Sequence, residues 1–213
     1  MLMKQIQLTS IAFQGGISNP MKIFIMYGTS KCMHANRQLN EEVMENWEIN
    51  LIYAEVLENE LNKICSFEVV GPLKKIDGQI MSEQEQFEEV QKHQPNLIIE
   101  LSVCCKRNGL LKRIKYFIHP LEANKYTLLI PTNAPKEIVI LSQLVDELLT
   151  DKAQINNYIE TERLEYSNMI KISPGNLLSP HGLEGMLQED VIKNFSMIIT
   201  AAITSIFIKN EIF

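Results

Sequence analysis

The chain has 213 residues and a formal net charge of -6 at pH 7, with 20 Lys and Arg against 26 Asp and Glu. This length suits one large domain, and a hydrophobic content of 46% is enough for a buried core, which excludes wholesale disorder. The acidic balance argues against a dedicated nucleic-acid-binding protein. Four Cys and no secretory leader argue against a disulfide scaffold and predict a cytoplasmic protein.

Residues 1–20 are predicted to form an N-terminal arm or an edge strand ahead of a single α/β domain that spans residues 21–213. The arm contains an alternating run from Gln5 to Leu8, and it lacks the long apolar centre of a signal peptide. Because Met21 begins a strongly apolar strand, a translation start at Met21 instead of Met1 stays open.

Short apolar runs alternate with amphipathic stretches along the rest of the chain, which is typical of a parallel sheet covered by helices. The predicted strands are residues 22–27, 49–56, 96–103, 126–130 and 169–173. This alternation predicts a three-layer α/β sandwich with a mostly parallel five-stranded central sheet, in a flavodoxin-like order. The stretches 57–81 and 152–166 are predicted to be an excursion over the sheet and an exposed arm or lid.

The first two predicted helices are indicated by spacing and by a cap. Leu39, Val43 and Trp47 recur every four residues, so a single helical stripe can face the sheet. Ser82 followed by Glu85 is a capping box, which satisfies two free amides at a helix start.

The third helix is predicted to be capped at residue 132 or 133, with Pro135 in its first turn. The last begins after Gly182 and carries the apolar run 195–208, which is shorter than the about 20 residues that a bilayer needs. We expect it to be a buried helix and the protein to have no membrane partner. A homo-oligomer contact through this C-terminal helix is the alternative.

Ligands of open parallel sheets bind beyond the carboxyl ends of the strands, where the strand order reverses. The segments that follow the predicted strands are therefore candidate parts of a site. They are residues 28–34, 104–109, 131–133 and 174–182. Reactive residue types are predicted to gather at one edge of the sheet.

A nucleophile and a base can be chosen from these segments. Ser30 lies in a strand-to-helix turn beside Gly28 and Thr29, where a hydroxyl can point into the crevice and backbone amides can stabilise an oxyanion. His181, in a turn-rich segment before the last helix, can reach the same crevice as the base. The alternative is that Ser30 is a helix cap and His181 a turn residue.

These two segments resemble those of the SGNH or GDSL hydrolases, which place a Ser after the first strand and a His shortly before the last helix. The resemblance implies an SGNH-like fold, with Ser30 as the nucleophile, His181 as the base and Asn108 as an oxyanion donor.

Cys32, His34, Cys104 and Cys105 follow the first and third predicted strands and carry ligand types that suit zinc. Neighbouring residues at a strand end point to opposite sides, however, so these spacings are poor for a metal. We therefore predict no metal and no cofactor, and a reactive or buried thiol stays open.

Lys106 and Arg107 directly follow the third predicted strand, where they can neutralise a phosphate or carboxylate beside Gly28 and Thr29. No Walker loop or Gly-x-Gly-x-x-Gly follows a strand, so a standard nucleotide site is not indicated. The favoured function is a small hydrolase that acts on an ester or acyl group of a small molecule. The alternatives are a noncatalytic module that binds an anionic or nucleotide-like ligand, and an interaction subunit.

Overall fold

The structure of the chain is a computed structural model. The residues it describes are 20–29, 37–39, 42–103, 127–149, 158–162, 165–174 and 185–207.

Within these residues the chain forms eight strands and four helices. The strands are β1 (Met21–Tyr27), β2 (Arg37–Leu39), β3 (Glu42–Met44), β4 (Phe67–Val70), β5 (Leu97–Leu101), β6 (Thr127–Pro131), β7 (Tyr158–Glu162) and β8 (Met169–Ser173). The helices are α1 (Asn46–Leu61), α2 (Glu83–His93), α3 (Lys136–Leu149) and α4 (Glu189–Phe207).

Six of the strands form one sheet in the order β4-β1-β5-β8-β6-β7. Every neighbouring pair is parallel except β6 and β8, which are antiparallel. β2 and β3 form a separate antiparallel pair. The first three strands of the main sheet, β4-β1-β5, have the flavodoxin-like order, in which β1 lies between its two successors. The sheet thus has one strand more than the five predicted, and it is mixed, although mostly parallel.

Helices cover both faces of this sheet. The larger apolar cluster joins residues of α1, α3 and α4 to one face, and its strand members alternate along β1 as Ile23, Ile25 and Tyr27. The smaller cluster joins Phe24 and Met26 to Val90 of α2 on the other face. Alternation of side chains along each strand explains this division. The predicted three-layer α/β sandwich is confirmed.

The prediction of a strand over residues 49–56 is wrong, because these residues lie in α1. Its buried apolar side chains include Ile49, Tyr53, Leu57 and Leu61, which recur every four residues and face the sheet. At the start of the helix, the backbone N–H of Glu45 donates to the Glu48 carboxylate at 2.6 Å. A short apolar run does not distinguish a strand from a buried helix, and here the burial of one side selects the helix.

Two further assignments differ from the prediction. The stretch predicted as the first helix contains the β2–β3 pair, and only Trp47 of its apolar stripe lies in a helix, the first turn of α1. β4 and β7 were not predicted as strands. Both lie at the edges of the sheet, where one neighbouring strand is enough and short or charged sequences are tolerated.

The predicted starts of α2 and α3 are closer to the starts that the structure has. α2 begins with the predicted capping box, in which the Glu85 N–H donates to the Ser82 hydroxyl at 3.3 Å. In α3 the Pro135 carbonyl accepts the first helical hydrogen bonds, from the N–H groups of Ile138 and Val139 at 3.0 and 3.1 Å. Pro135 therefore precedes the helix, rather than lying in its first turn.

α4 is the one helix in the described parts of the chain that is long and apolar enough to cross a membrane by length and composition, with a mean hydropathy of 1.3. It packs against α1 and α3, and Ile199 and Ile203 of its apolar run are 1% and 0% exposed. The prediction of a buried helix fits this packing. A subunit contact would have to use other side chains of α4, such as the exposed Met197, and stays a prediction.

Candidate functional site

The candidate site is the edge of the sheet at which β4, β1, β5 and β8 end, since these four strands are parallel. β1 leads through α1 to β4 on one side, and β5 pairs with β1 on the other side. The strand order therefore reverses between β1 and β5, and a crevice at this point is the usual ligand position in such sheets.

The prediction that all strand ends with reactive residues share this edge is wrong for β6. Because β6 runs antiparallel to β8, Thr132 and Asn133 lie at the opposite edge. That edge has an open cavity of about 420 Å³, whose lining includes Met21, Asn96 and Asn168 from the beginnings of β1, β5 and β8. It is separate from the crevice at the carboxyl ends.

At the crevice, the strand ladder continues for one residue beyond β1 and β5. The Gly28 N–H donates to the Leu101 carbonyl at 2.8 Å, and the Ser102 N–H donates to the Ile172 carbonyl at 3.1 Å. These bonds hold the last residues of three strands side by side, and so fix where the following segments begin.

Gly28 permits a close approach between β1 and β5, but the group that approaches is part of the protein. A Cβ atom at Gly28 would lie 2.5 Å from the Ser102 hydroxyl oxygen and 2.9 Å from its Cβ atom. Only a glycine fits against Ser102 at this distance. Both residues are buried, and Thr29, the next residue, is partly exposed.

Asn50 of α1 bridges the two strand ends from one face of the sheet. Its Nδ2 donates to the Gly28 carbonyl at 2.7 Å, and its Oδ1 accepts from the Val103 N–H at 2.7 Å. The side chain is 2% exposed, so both bonds are shielded from water. Asn50 is not among the predicted site residues, because residues 49–56 were predicted to be a strand and not a helix beside the strand ends. The signal that could have indicated it is a single amide side chain within an otherwise apolar buried stripe.

Gln86 of α2, which covers the other face of the sheet, forms hydrogen bonds with the backbone at the end of β1. β4 stops pairing with β1 at Val70, and the Gln86 carboxamide takes the place of the next strand residue. Its Oε1 accepts from the Tyr27 N–H, and its Nε2 donates to the Tyr27 carbonyl, both at 3.0 Å. The backbone at the end of β1 is thus satisfied without a neighbouring strand.

The Tyr27 side chain anchors the loop that follows β4. Its hydroxyl donates to the Leu73 carbonyl at 3.0 Å and accepts from the Met81 N–H at 3.1 Å. Burial raises the pKa of the Tyr27 phenol, while the Met81 N–H acts in the opposite direction. The phenol is therefore neutral at physiological pH, so it can donate one of these bonds and accept the other.

Charge is sparse at the described part of the crevice. The side chains of Thr29, Asn50, Ser102 and Ser173 at these strand ends are all uncharged. Two residues further into the sheet than Ser102 and Ser173, Glu100 and Lys171 form an ion pair at 2.6 Å, in which the Glu100 side chain is 3% exposed. These two residues are register partners on β5 and β8, and they lie on the α2 face.

Two of the predicted site residues, Gly28 and Thr29, are at the crevice. The other predicted residues lie outside the described residues, and their positions are not tested. They are Ser30, Lys106, Arg107, Asn108 and His181, together with the candidate metal or thiol residues Cys32, His34, Cys104 and Cys105. Among the residues that the structure does describe, no group of three His, Cys, Asp or Glu could hold a metal ion.

No family model matches the chain, and no curated protein matches it in sequence. Solved structures do match in fold. An N-acetylmuramoyl-L-alanine amidase of Clostridium difficile 630 has a TM-score of 0.67 at 16% identity, over 88% of this chain and 96% of that one.

Two more solved structures agree with this result. The catalytic domain of the N-acetylmuramoyl-L-alanine amidase CwlV from Bacillus (Paenibacillus) polymyxa var. colistinus has a TM-score of 0.64 at 12% identity, with 89% and 99% of the two chains covered. An N-acetylmuramoyl-L-alanine amidase of Nostoc punctiforme has a TM-score of 0.63 at 11% identity, with 89% and 97% covered. At these identities the likeness shows the fold.

These matches correct the resemblance to the SGNH or GDSL hydrolases, which is wrong. That resemblance depended on two short segments around Ser30 and His181, whereas the amidase structures match along almost the whole chain. The predicted esterase with a Ser nucleophile and a His base is overturned with it. The alternatives, an anion-binding module or an interaction subunit, are not favoured by these neighbours either.

Proposed function

We propose that this protein is an amide hydrolase that acts on the bond between an N-acetylmuramoyl group and L-alanine in peptidoglycan fragments. The observation that carries the proposal is the extent of the fold match. Three amidases, from different organisms, each cover 88–89% of this chain and are themselves covered over 96–99% of their length. The match therefore extends over nearly the whole of each of these three solved chains.

The crevice between β1 and β5 is the proposed place of the reaction. Amide hydrolysis adds water to the carbonyl carbon and breaks the C–N bond, while the leaving amine takes a proton; the products are an acid and a peptide with a free amino group. A site for this reaction has to hold the carbonyl oxygen and activate the water. The hydroxyls of Thr29 and Ser102 at the crevice can donate hydrogen bonds to an oxygen, whereas the Asn50 amide is bonded to the two strand ends.

A metal ion is one common means of activating water. The described residues do not supply a set of ligands for one, so we assign no step to a metal. Residue types with suitable chemistry occur just beyond β1 and β5, at Cys32, His34 and Cys104. The role of the described residues in the proposed reaction is to fix the starting points of these segments.

The test is incubation of the purified protein with N-acetylmuramoyl-L-Ala-D-isoGln, followed by mass spectrometry. We expect free N-acetylmuramic acid and a dipeptide with a new amino terminus, in equal amounts. The same compound with D-Ala in place of L-Ala is the matched substrate control and should stay intact. An intact L-Ala substrate after prolonged incubation, both with added zinc and with a chelator, would overturn the proposal, and binding without cleavage would also do so.

Two serine variants test whether the reaction takes place at the β1–β5 crevice. Ser102→Ala removes a hydroxyl from the crevice, whereas Ser142→Ala removes one that is buried in α3, where it donates to the Val139 carbonyl at 2.8 Å. We expect kcat/KM to fall for Ser102→Ala and to be unchanged per folded molecule for Ser142→Ala. Equal activity of both variants would place the reaction away from the β1–β5 crevice.

A further inference from the structure

Asn50 is the one side chain in the described parts of the chain that bonds to the backbone at both β1 and β5 strand ends. Its Nδ2 donates to the Gly28 carbonyl and its Oδ1 accepts from the Val103 N–H, each at 2.7 Å. Gly28 follows the last residue of β1, and Val103 lies two residues beyond β5. The direct ladder ends just before this point, with the bond from the Gly28 N–H to the Leu101 carbonyl.

The carboxamide therefore takes the place of a peptide group between two strands that no longer pair with each other. Both bonds are short and lie at a side chain that is 2% exposed, so water does not compete for either partner. A Cβ atom at Gly28 would lie 3.4 Å from Asn50 Nδ2, an ordinary van der Waals distance, so the contacts that require a glycine are those with Ser102 and not the one with Asn50. α1 thus sets the distance between the two strand ends through one amide.

We infer that Asn50 is a positioning residue of the crevice, which holds the segments after β1 and β5 at the separation that the reaction needs. This inference rests on the proposed amide hydrolysis for its kinetic consequence. The hydrogen-bonded bridge itself can be measured without any substrate.

The most informative variant is Asn50→Asp, which has nearly the same shape. The introduced carboxylate can still accept from the Val103 N–H, but it cannot donate to the Gly28 carbonyl. Burial and the facing carbonyl oxygen both favour the neutral acid, so we expect the pKa of this carboxyl to be raised. Below that pKa the acid O–H can donate to Gly28 again, and the bridge is restored.

The kinetic test measures the kcat of Asn50→Asp relative to the wild type at each pH. We expect kcat to be lower by on the order of a hundredfold above the raised pKa, because small displacements of reacting groups have effects of this size. The ratio should rise towards one as the pH falls. Glu48 in α1 and Glu100 on β5 are present in both proteins, so any influence that they have on kcat cancels in the ratio.

Leu57→Ala in the same helix is the matched control, since Leu57 is fully buried and packs in the core away from the strand ends. Leu57→Ala should lower the free energy of unfolding. The ratio of its kcat per folded molecule to that of the wild type should be the same at every pH. An equal pH-dependent ratio in both variants would overturn the inference, because the effect would then come from general destabilisation.

A spectroscopic readout separates this inference from the proposed function. The carbonyl-carbon chemical shift of Gly28 in Asn50→Asp should titrate with pH and approach its wild-type value at low pH. If the wild type hydrolyses nothing, the proposed function fails while this titration still tests the bridge. A Gly28 shift that equals the wild-type value at every pH would overturn the inference.

Discussion

Gly28 has no Cβ atom, and this determines how closely the ends of β1 and β5 approach each other at the crevice. The first residue after β1 can approach the end of β5 because it has no side chain, and the Ser102 hydroxyl occupies the space that a Cβ atom would take. The sequence predicted Gly28 as a ligand-binding residue, beside a phosphate or carboxylate. The structure assigns the approach to a neighbouring strand instead.

We expect Gly28→Ala to destabilise the protein by about 1–3 kcal/mol, which is the usual effect of forcing an extra carbon into a packed position. Its Cβ atom would meet Ser102 at 2.5 Å and 2.9 Å, so Ser102 or the backbone has to move. The measurement is the free energy of unfolding in urea at neutral pH.

Two further variants test whether the contact with Ser102 is the cause of this destabilisation. The double variant with Ser102→Gly removes both close contacts and should recover part of the loss, which a double-mutant cycle reports as a coupling. Gly185→Ala is the control, since a Cβ atom there meets nothing within 4 Å. A loss at Gly185 as large as the loss at Gly28 would contradict the steric explanation.

At the scale of elements, α2 could be read from the sequence and α1 could not. The start of α2 depends on two residues three positions apart, Ser82 and Glu85, and this local signal is independent of the rest of the fold. The identity of residues 49–56 as helix depends on which side chains the sheet covers. Those contacts are distant in sequence and cannot be inferred from a short apolar run.

Glu85 predicts a pH dependence at the start of α2. Hydrogen bonds from the Ser82 N–H, from Lys75 and from the Ser82 hydroxyl lower the pKa of its carboxyl to about 2, from its usual value of 4.5. Since the folded protein favours the ionised form, the stabilisation is complete above pH 4.5 and is lost as the pH falls towards 2.

The measurement compares the wild type with Glu85→Gln in urea across this range. We expect the wild type to be more stable at neutral pH and the difference to disappear as the pH approaches 2. Glu83→Gln, in the first turn of the same helix, controls for the loss of one negative charge near the helix N-terminus. A Glu85→Gln difference that is constant with pH would contradict the role of the capping carboxylate.

At the scale of the whole molecule, α1 and the chain before α4 are joined by a contact between residues far apart in sequence. The Tyr53 hydroxyl donates to the Met186 carbonyl at 2.6 Å, and the Tyr53 ring contacts the Phe195 ring edge to face, with centroids 5.2 Å apart. Both side chains are nearly fully buried. The last helix is therefore attached to the core by packing and by a specific hydrogen bond.

We expect Tyr53→Phe to lower the free energy of unfolding by about 1–3 kcal/mol, because it leaves the Met186 carbonyl without this donor in a buried position. Urea denaturation measures the effect. Tyr166→Phe is the matched control, since the Tyr166 hydroxyl is buried without a hydrogen-bond partner among the described residues. If both variants lose the same stability, the Tyr53 bond is not what holds the segment before α4.

The sequence by itself determined the layered α/β architecture, the strands near residues 22–27, 96–103, 126–130 and 169–173, and the capped start of α2. These features depend on local apolar periodicity and on interactions between residues a few positions apart. Tertiary structure alone decided that residues 49–56 form a helix, that β6 runs antiparallel, and that Asn50 bridges β1 and β5. Each of these depends on groups from distant segments meeting in space, since the direction of a strand and the partner of a buried amide are set by the neighbours that the fold supplies.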